Sequence, residues 1–136
     1  MNFKLLEPLG IKSNCSLKEI SNYFGFTKIS ALCDDFRNKI DSNKYNLILH
    51  PKSSGSAQEW TTANFSELIK ILPKEKFKIF ITGTKREGEL VRDIFSENKE
   101  VIDLTGKLSL SELISFINNC DGLVAASTGP LHLAAA

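Results

Sequence analysis

Three short stretches hold the residues best suited to chemistry, and each has the composition that contacts phosphates. They are the loop from His50 to Trp60, the turn from Thr82 to Lys85, and the segment from Ser127 to His132. Glycine, serine, threonine and lysine dominate them, which offers hydroxyls, an ammonium and open backbone amides to an anion. The third stretch is the sharpest. Gly129 lets backbone come close to a ligand, and Pro130 suits a first helical turn, where its missing N–H costs nothing. The amides of Leu131 and His132 would favour an anion together with the helix dipole, and Ser127 and Thr128 add hydroxyls. A merely well-capped helix start has the same sequence, and the loop after His50 is equally compatible with a plain connection, so both readings stand. His50, at a strand end, fits a structural role as well as a site role. Lys52 reads as a solvated lysine. Trp60, the single tryptophan, reads as a core anchor rather than a stacking platform. The charges from Lys85 to Glu89 read as a solvated helix start whose Glu87 or Glu89 complements the dipole.

Other chemistries lack a pattern. His50 and His132 are far apart, and Cys15, Cys33 and Cys120 have no CxxC spacing, so neither a metal site nor a disulfide framework is expected. There is no GxGxxG and no GxxxxGK[ST], which removes motif support for nicotinamide cofactors and P-loop phosphotransfer. Lys+Arg is 17 and Asp+Glu is 16; the resulting net charge of +1 makes no electrostatic case for nucleic acid. No apolar run reaches the roughly 18 residues of a membrane span, and the start of the chain does not read as a signal peptide. These features predict a protein of the cytoplasmic side.

The elements that carry the three stretches follow from hydrophobic spacing. Leu47 to Leu49 is a short apolar strand stopped at Pro51. Phe65, Leu68, Ile69 and Leu72 lie on one helical stripe, with Thr61 or Thr62 as N-cap and Pro73 as stop. Phe77 to Ile81 is a second strand, and Glu87 to Phe95 a helix with Leu90, Val91, Ile94 and Phe95 on its apolar side. Val101-Ile102 is a short strand. Leu110, Leu113, Ile114 and Ile117 mark another helix, Leu123 to Ala126 a last buried strand, and Thr128-Gly129-Pro130 opens a final helix. Strands alternating with helices predict an α/β fold, a parallel sheet with helices on both faces. Residues 1–44 are less regular. Helical spacing runs over Leu5 to Ile11 and Ile29 to Ile40, Ser16 with Glu19 forms a capping pattern, and Asp41 to Lys44 is a polar connector. The last helix has no stop signal, so the sheet is expected to be incomplete at its C-terminal end.

Taken in order, these segments resemble glycosyltransferase family 9, the ADP-heptose–lipopolysaccharide heptosyltransferases. The resemblance rests on His50-Pro51, a Gly/Ser loop, Trp60 and Asn64-Phe65; on Thr82-Gly83; on Leu104-Thr105-Gly106-Lys107-Leu108-Ser109-Leu110-Ser111-Glu112-Leu113; and on Thr128 to Ala136. Each is weak alone, and the ordered set spans about residues 45–136. Leu5 to Ile11 is loosely similar to the family's stretch near its domain junction.

The resemblance implies a Rossmann-like fold, the C-terminal half of a GT-B enzyme: residues 1–44 as a mostly helical domain-junction segment and residues 45–136 as a truncated donor-binding domain. It implies that Ser53, Ser54, Thr128, Gly129, Pro130, Leu131 and His132 hold a nucleotide diphosphate sugar, with Leu108 near the base. Gln58 stands where the family has a phosphate-contacting lysine, and Ser127 where it has a carboxylate that meets the donor. The implied reaction is inverting transfer of heptose, or a related sugar, to lipopolysaccharide core or a similar glycan. ADP-heptose is the implied donor, with no cofactor and no metal. The catalytic base and the glycolipid acceptor surface belong to an N-terminal domain, so the chain alone is expected not to catalyse. The whole enzyme would work in the cytoplasm or peripherally on the inner membrane. A non-enzymatic nucleotide- or anion-binding module and a degenerate fragment are the alternative readings.

Overall fold

A computed structural model describes residues 7–10, 16, 19, 28–55 and 57–136. Among them lies one four-stranded, all-parallel sheet of order β3-β2-β1-β4. Its strands are β1 (Tyr45–His50), β2 (Phe77–Ile81), β3 (Ile102–Asp103) and β4 (Gly122–Ala125). The helices are α1 (Asp34–Arg37), α2 (Thr62–Ile71), α3 (Lys85–Leu90), α4 (Arg92–Glu97), α5 (Leu110–Asn118) and α6 (Gly129–Ala135).

Successive side chains of a strand point to opposite faces, and here both faces are apolar. Leu47, Leu49, Ile79 and Ile81 meet Phe65 and Ile69 of α2 and Ile94 of α4 on one side. Ile48 and Phe80 meet Leu32, Leu104 and Phe116 of α5 on the other, with Phe36 and Ile40 packed alongside. Phe80 and Phe116 pack edge to face, with ring centroids 5.0 Å apart. The predicted parallel sheet with helices on both faces is therefore the observed one.

Several local expectations need correction. The helix expected over Glu87 to Phe95 is two short helices, separated at Val91 (φ −114°, ψ 17°). The break leaves Val91 and Ile94 fully buried, whereas Leu90 turns outward and is 60% exposed. In α5 the buried residues are Ser115 and Phe116, and Leu110 is exposed. Between Ile29 and Ile40 only Asp34–Arg37 is helical. Leu32, Phe36 and Ile40 still reach the sheet, and Ser115 Oγ donates to the Ser30 carbonyl at 2.8 Å. Ser16 and Glu19 form the expected reciprocal bonds; of the helical spacing expected over Leu5 to Ile11, residues 7–9 form a single 3-10 turn, and Leu5, Leu6 and Ile11 lie outside the described residues. Cys33 and Cys120 are free thiols, Cys120 pushed up to about 12 by burial and by the Asp121 charge.

The amino end of the sheet is fixed by polar groups. Buried Asn46 donates from Nδ2 to the carbonyls of Asp41 and Lys44 and to Asp121 Oδ2, and its Oδ1 accepts the Asp41 amide. Asp121 Oδ2 also accepts the Asn46 amide at 2.7 Å. This joins the start of β4 to the start of β1 and leaves no polar atom of the Asn46 side chain without a partner.

At the carboxyl end, α3 packs directly on the turn after β3. A Cβ on Gly88 would lie 2.2 Å from Thr105 Oγ1 and 2.8 Å from Thr105 Cβ. Gly88→Ala should therefore lose stability, by roughly 1–3 kcal/mol from overpacking, although alanine is the better helix former. Urea denaturation checks this, with Gly129→Ala as the comparison: a Cβ there meets nothing within 4 Å.

Candidate functional site

β2 and β3 lie on one side of β1 and β4 on the other, so the strand order reverses beside β1. Ligands of open parallel sheets bind in the crevice that such a reversal leaves beyond the strands' carboxyl ends. A cleft of about 350 Å³ lies there. Its walls come from the exits of all four strands: His50 with Lys52 to Ser54, Thr82 to Thr84 with Glu87, six residues between Leu104 and Leu113, and Thr128 to Pro130.

The two central exits are tied together by side chains. His50 is buried, and its Nδ1 lies 2.9 Å from Thr82 Oγ1. Burial pushes the His50 pKa down, against a smaller upward pull from Glu87. Glu87 is also buried and anchors the loop after β1 to the turn after β2. Its Oε1 accepts Ser54 Oγ at 2.9 Å, and its Oε2 accepts the Thr84 amide at 2.7 Å. Burial alone would raise its pKa. Hydrogen bonds from the Thr84 amide and the Ser54 and Thr84 hydroxyls, with the attraction of His50, outweigh that and hold it below the usual carboxylate range. Ser54 is held at φ 51°, a left-handed conformation rare for a residue with a side chain.

The loop after β1 has a second internal anchor. Glu59 accepts the Ser53 amide at 2.6 Å and Ser53 Oγ at 2.8 Å, and pairs with Lys52 Nζ at 2.6 Å. Lys52 is thus half-buried and paired, not the solvated lysine expected. Trp60 is 53% exposed and stands edge-on to Phe65, so it flanks the core rather than anchoring it.

The final segment differs in detail from expectation. Thr128 is the N-cap residue of α6 but makes no side-chain cap bond; its hydroxyl donates to the Ala126 carbonyl at 3.2 Å. The amides of Leu131 and His132 both donate to the Thr128 carbonyl, at 3.1 and 3.2 Å. They are not the open donors that the sequence suggested, because the N-cap carbonyl takes them as the first turn closes. The Gly129 amide precedes every acceptor of its own helix and lies in the cleft wall.

Of the ten residues assigned to donor binding, Ser53, Ser54, Leu108, Thr128, Gly129 and Pro130 line this cleft. Gln58 and Ser127 are exposed and are not among its lining residues, nor are Leu131 and His132; Leu131 lies instead in a groove between α5, β4 and α6. Thr84 lies in the Thr82 to Lys85 stretch singled out from sequence, but sequence reading did not assign Glu87, Leu110 or Leu113 to a site. The spacing Thr84-x-x-Glu87 carried a signal, since it is a capping box. Leu110 and Leu113 had only helical spacing, which reads as core. Among the described residues no cluster of His, Cys, Asp or Glu could hold a metal ion, and no helix is long and apolar enough to cross a membrane.

A parallel sheet that reverses its strand order beside β1, with helices on both faces, defines a doubly wound class of α/β domain, and comparison with known proteins makes this specific. The model of glycosyltransferase family 9 (heptosyltransferase) matches residues 2–136. Lipopolysaccharide heptosyltransferase 1 of Campylobacter coli is 30% identical over 102 residues, covering 71% of this chain and 30% of that protein. Lipooligosaccharide heptosyltransferase 2 of Haemophilus influenzae is 28% identical over 87 residues, 60% of this chain and 25% of that protein. Among solved structures, the family 9 glycosyl transferase of Veillonella parvula aligns with TM-score 0.69 and 20% identity, over 96% of this chain and 38% of that one. The ADP-heptose lps heptosyltransferase II of E. coli aligns with TM-score 0.65 and 19% identity, over 79% and 36%. The chain belongs to glycosyltransferase family 9. It spans less than a third of the length of these curated relatives.

The burial of His50 predicts a pH dependence. Its folded pKa lies below the ordinary 6.5, so below that pH the unfolded chain binds more protons than the folded one. Its contribution to stability is complete above about pH 6.5 and is lost as pH falls toward the folded value. Urea midpoints should drop between pH 7.5 and 5.5, and the drop should shrink in His50→Asn, which cannot take up the proton.

Proposed function

We propose that residues 45–136 bind the nucleotide-sugar donor of a heptosyltransferase. In this reading the donor is ADP-heptose or a related sugar nucleotide, and the acceptor is lipopolysaccharide core or a similar glycan. The observation that carries the reading is the convergence of four strand exits on one cleft at the sheet's reversal point. Its volume falls in the range of small-molecule sites, roughly 300–1,000 Å³. Leu104, Leu108, Leu113 and Pro130 give it an apolar part suited to a nucleobase. His50, Ser54, Thr82, Thr84 and Thr128 give it a polar part suited to a diphosphate. Family membership and the heptosyltransferase names of the relatives point to the same donor class.

The proposed chemistry is inverting transfer without a resident cofactor. A base outside residues 45–136 takes the proton of the acceptor hydroxyl, the oxygen attacks the anomeric carbon, and the bond from that carbon to the diphosphate breaks. Negative charge then develops on the leaving diphosphate. The Gly129 amide in the cleft wall is placed to stabilise it, and the hydroxyls of Ser54 and Thr128, which donate to Glu87 and to the Ala126 carbonyl in this structure, join it by turning toward the diphosphate. In this reading the 136-residue chain binds donor but does not turn it over, and the whole enzyme acts in the cytoplasm or peripherally on the cytoplasmic face of the inner membrane.

Calorimetric titration with ADP, ADP-heptose and UDP tests the proposal. The adenine nucleotides should bind and UDP should bind more weakly. Gly129→Trp should abolish binding while keeping the wild-type circular dichroism, because the position opens onto free space. A folded chain that binds none of the three, or a Gly129→Trp variant that binds as well as wild type, would contradict it.

A further inference from the structure

The loop after β1 already binds an anion, and that anion is its own Glu59. Lys52 Nζ, the Ser53 amide and Ser53 Oγ all meet one carboxylate, at 2.6, 2.6 and 2.8 Å. A cation, a backbone amide and a hydroxyl within a dipeptide are the donor set expected around a phosphate oxygen. Carboxylate and phosphate oxygens are equivalent acceptors for such groups, and two anions on the same donors repel. Hydrogen bonds from Lys52 and Ser53 hold the Glu59 carboxyl below its usual range, so it is ionised at neutral pH.

Lys52 sits where the choice matters. Lys52 and Ser54, with Thr84 and Glu87, wall the cleft assigned above to the donor and also an adjoining second cleft of about 530 Å³. Glu59 lines only the second. The pair therefore holds the Lys52 ammonium against a carboxylate of the second cleft. Both side chains are mostly shielded, at 22% and 23% exposure, so this pair is less screened than an ordinary surface pair.

We propose that Glu59 is a tethered competitor: its carboxylate occupies the Lys52–Ser53 donor set and must yield before that set can take a phosphate of the ligand. Glu59 then sets affinity for the diphosphate without touching it, and loading the cleft transfers Lys52 from the Glu59 carboxylate to the ligand. The inference rests on the donor-cleft reading for its ligand, while the competing donor set is given by the contacts themselves.

The test is Glu59→Gln, which keeps the side-chain shape and removes the charge, titrated alongside wild type with inorganic pyrophosphate and with ADP. Pyrophosphate should bind Glu59→Gln roughly tenfold more tightly, the scale of one recovered charge-assisted hydrogen bond. The gain should vanish in Lys52→Met/Glu59→Gln. Glu59→Asp, which withdraws the carboxylate by one methylene, should give a smaller gain and carries the same test should the glutamine variant not fold. Unchanged or weaker pyrophosphate binding by the folded variants would overturn the proposal and make Glu59 a loop brace. So would a gain that persists without Lys52, or pyrophosphate binding to neither form. If wild type binds ADP and Glu59→Gln binds it no better, the competitor fails and the donor cleft stands. If pyrophosphate gains appear but ADP binds to neither form, the competitor stands and the donor-cleft reading fails.

Discussion

The structure depends on a single strand that is apolar on both faces. From Asn46 to His50 every residue of β1 is buried. Such a strand cannot lie at a solvated edge, so it takes the middle of the sheet and requires a helical layer above and below. The first layer follows it in sequence as α2; part of the second precedes it, in Leu32, Phe36 and Ile40. With β2 on one side and β4 on the other, the connections diverge around β1 and open a cleft at its carboxyl end. The amino end is closed by Asn46 and Asp121. One end of the sheet is thus sealed by satisfied polar groups, and the other opens into the cleft.

Two carboxylates, the buried Glu87 and the half-buried Glu59, shape that open end. Glu87 ties the loops after β1 and β2 together, and Glu59 folds the loop after β1 back on itself. Each accepts several hydrogen bonds, which is how a charged group is tolerated away from water. The consequence is a loop whose backbone, including the left-handed Ser54, is set before any ligand arrives.

The strands and most helices were legible because the parallel sheet writes itself as short apolar runs between turn residues. The runs at Leu47 to Leu49 and Phe77 to Ile81 could hardly fold otherwise. The N-cap Thr61 and the helix stop at Pro73 follow from local chemistry alone. What stayed hidden depends on contacts between distant segments. Nothing near Val91 in sequence announces a helix break; it reflects how Val91 and Ile94 reach the sheet together while Gly88 packs on Thr105. Leu110 and Leu113 have the spacing of core residues, yet they form a cleft wall. Glu59 looks like any loop glutamate until Lys52 and Ser53 close around it. The site segments after β1, β2 and β4 were readable from their composition. Which of their donors remain open was not, as the amides of Leu131 and His132 show.

A crystal structure of the 136-residue chain with ADP tests the central claim most directly, because that claim is about place. The account predicts the diphosphate at the carboxyl end of β1 and β4, against Ser54 and the Thr128–Pro130 turn, with the adenine toward Leu108 and Leu113. A nucleotide bound elsewhere, or a diphosphate outside the cleft at the sheet's reversal point, would contradict it.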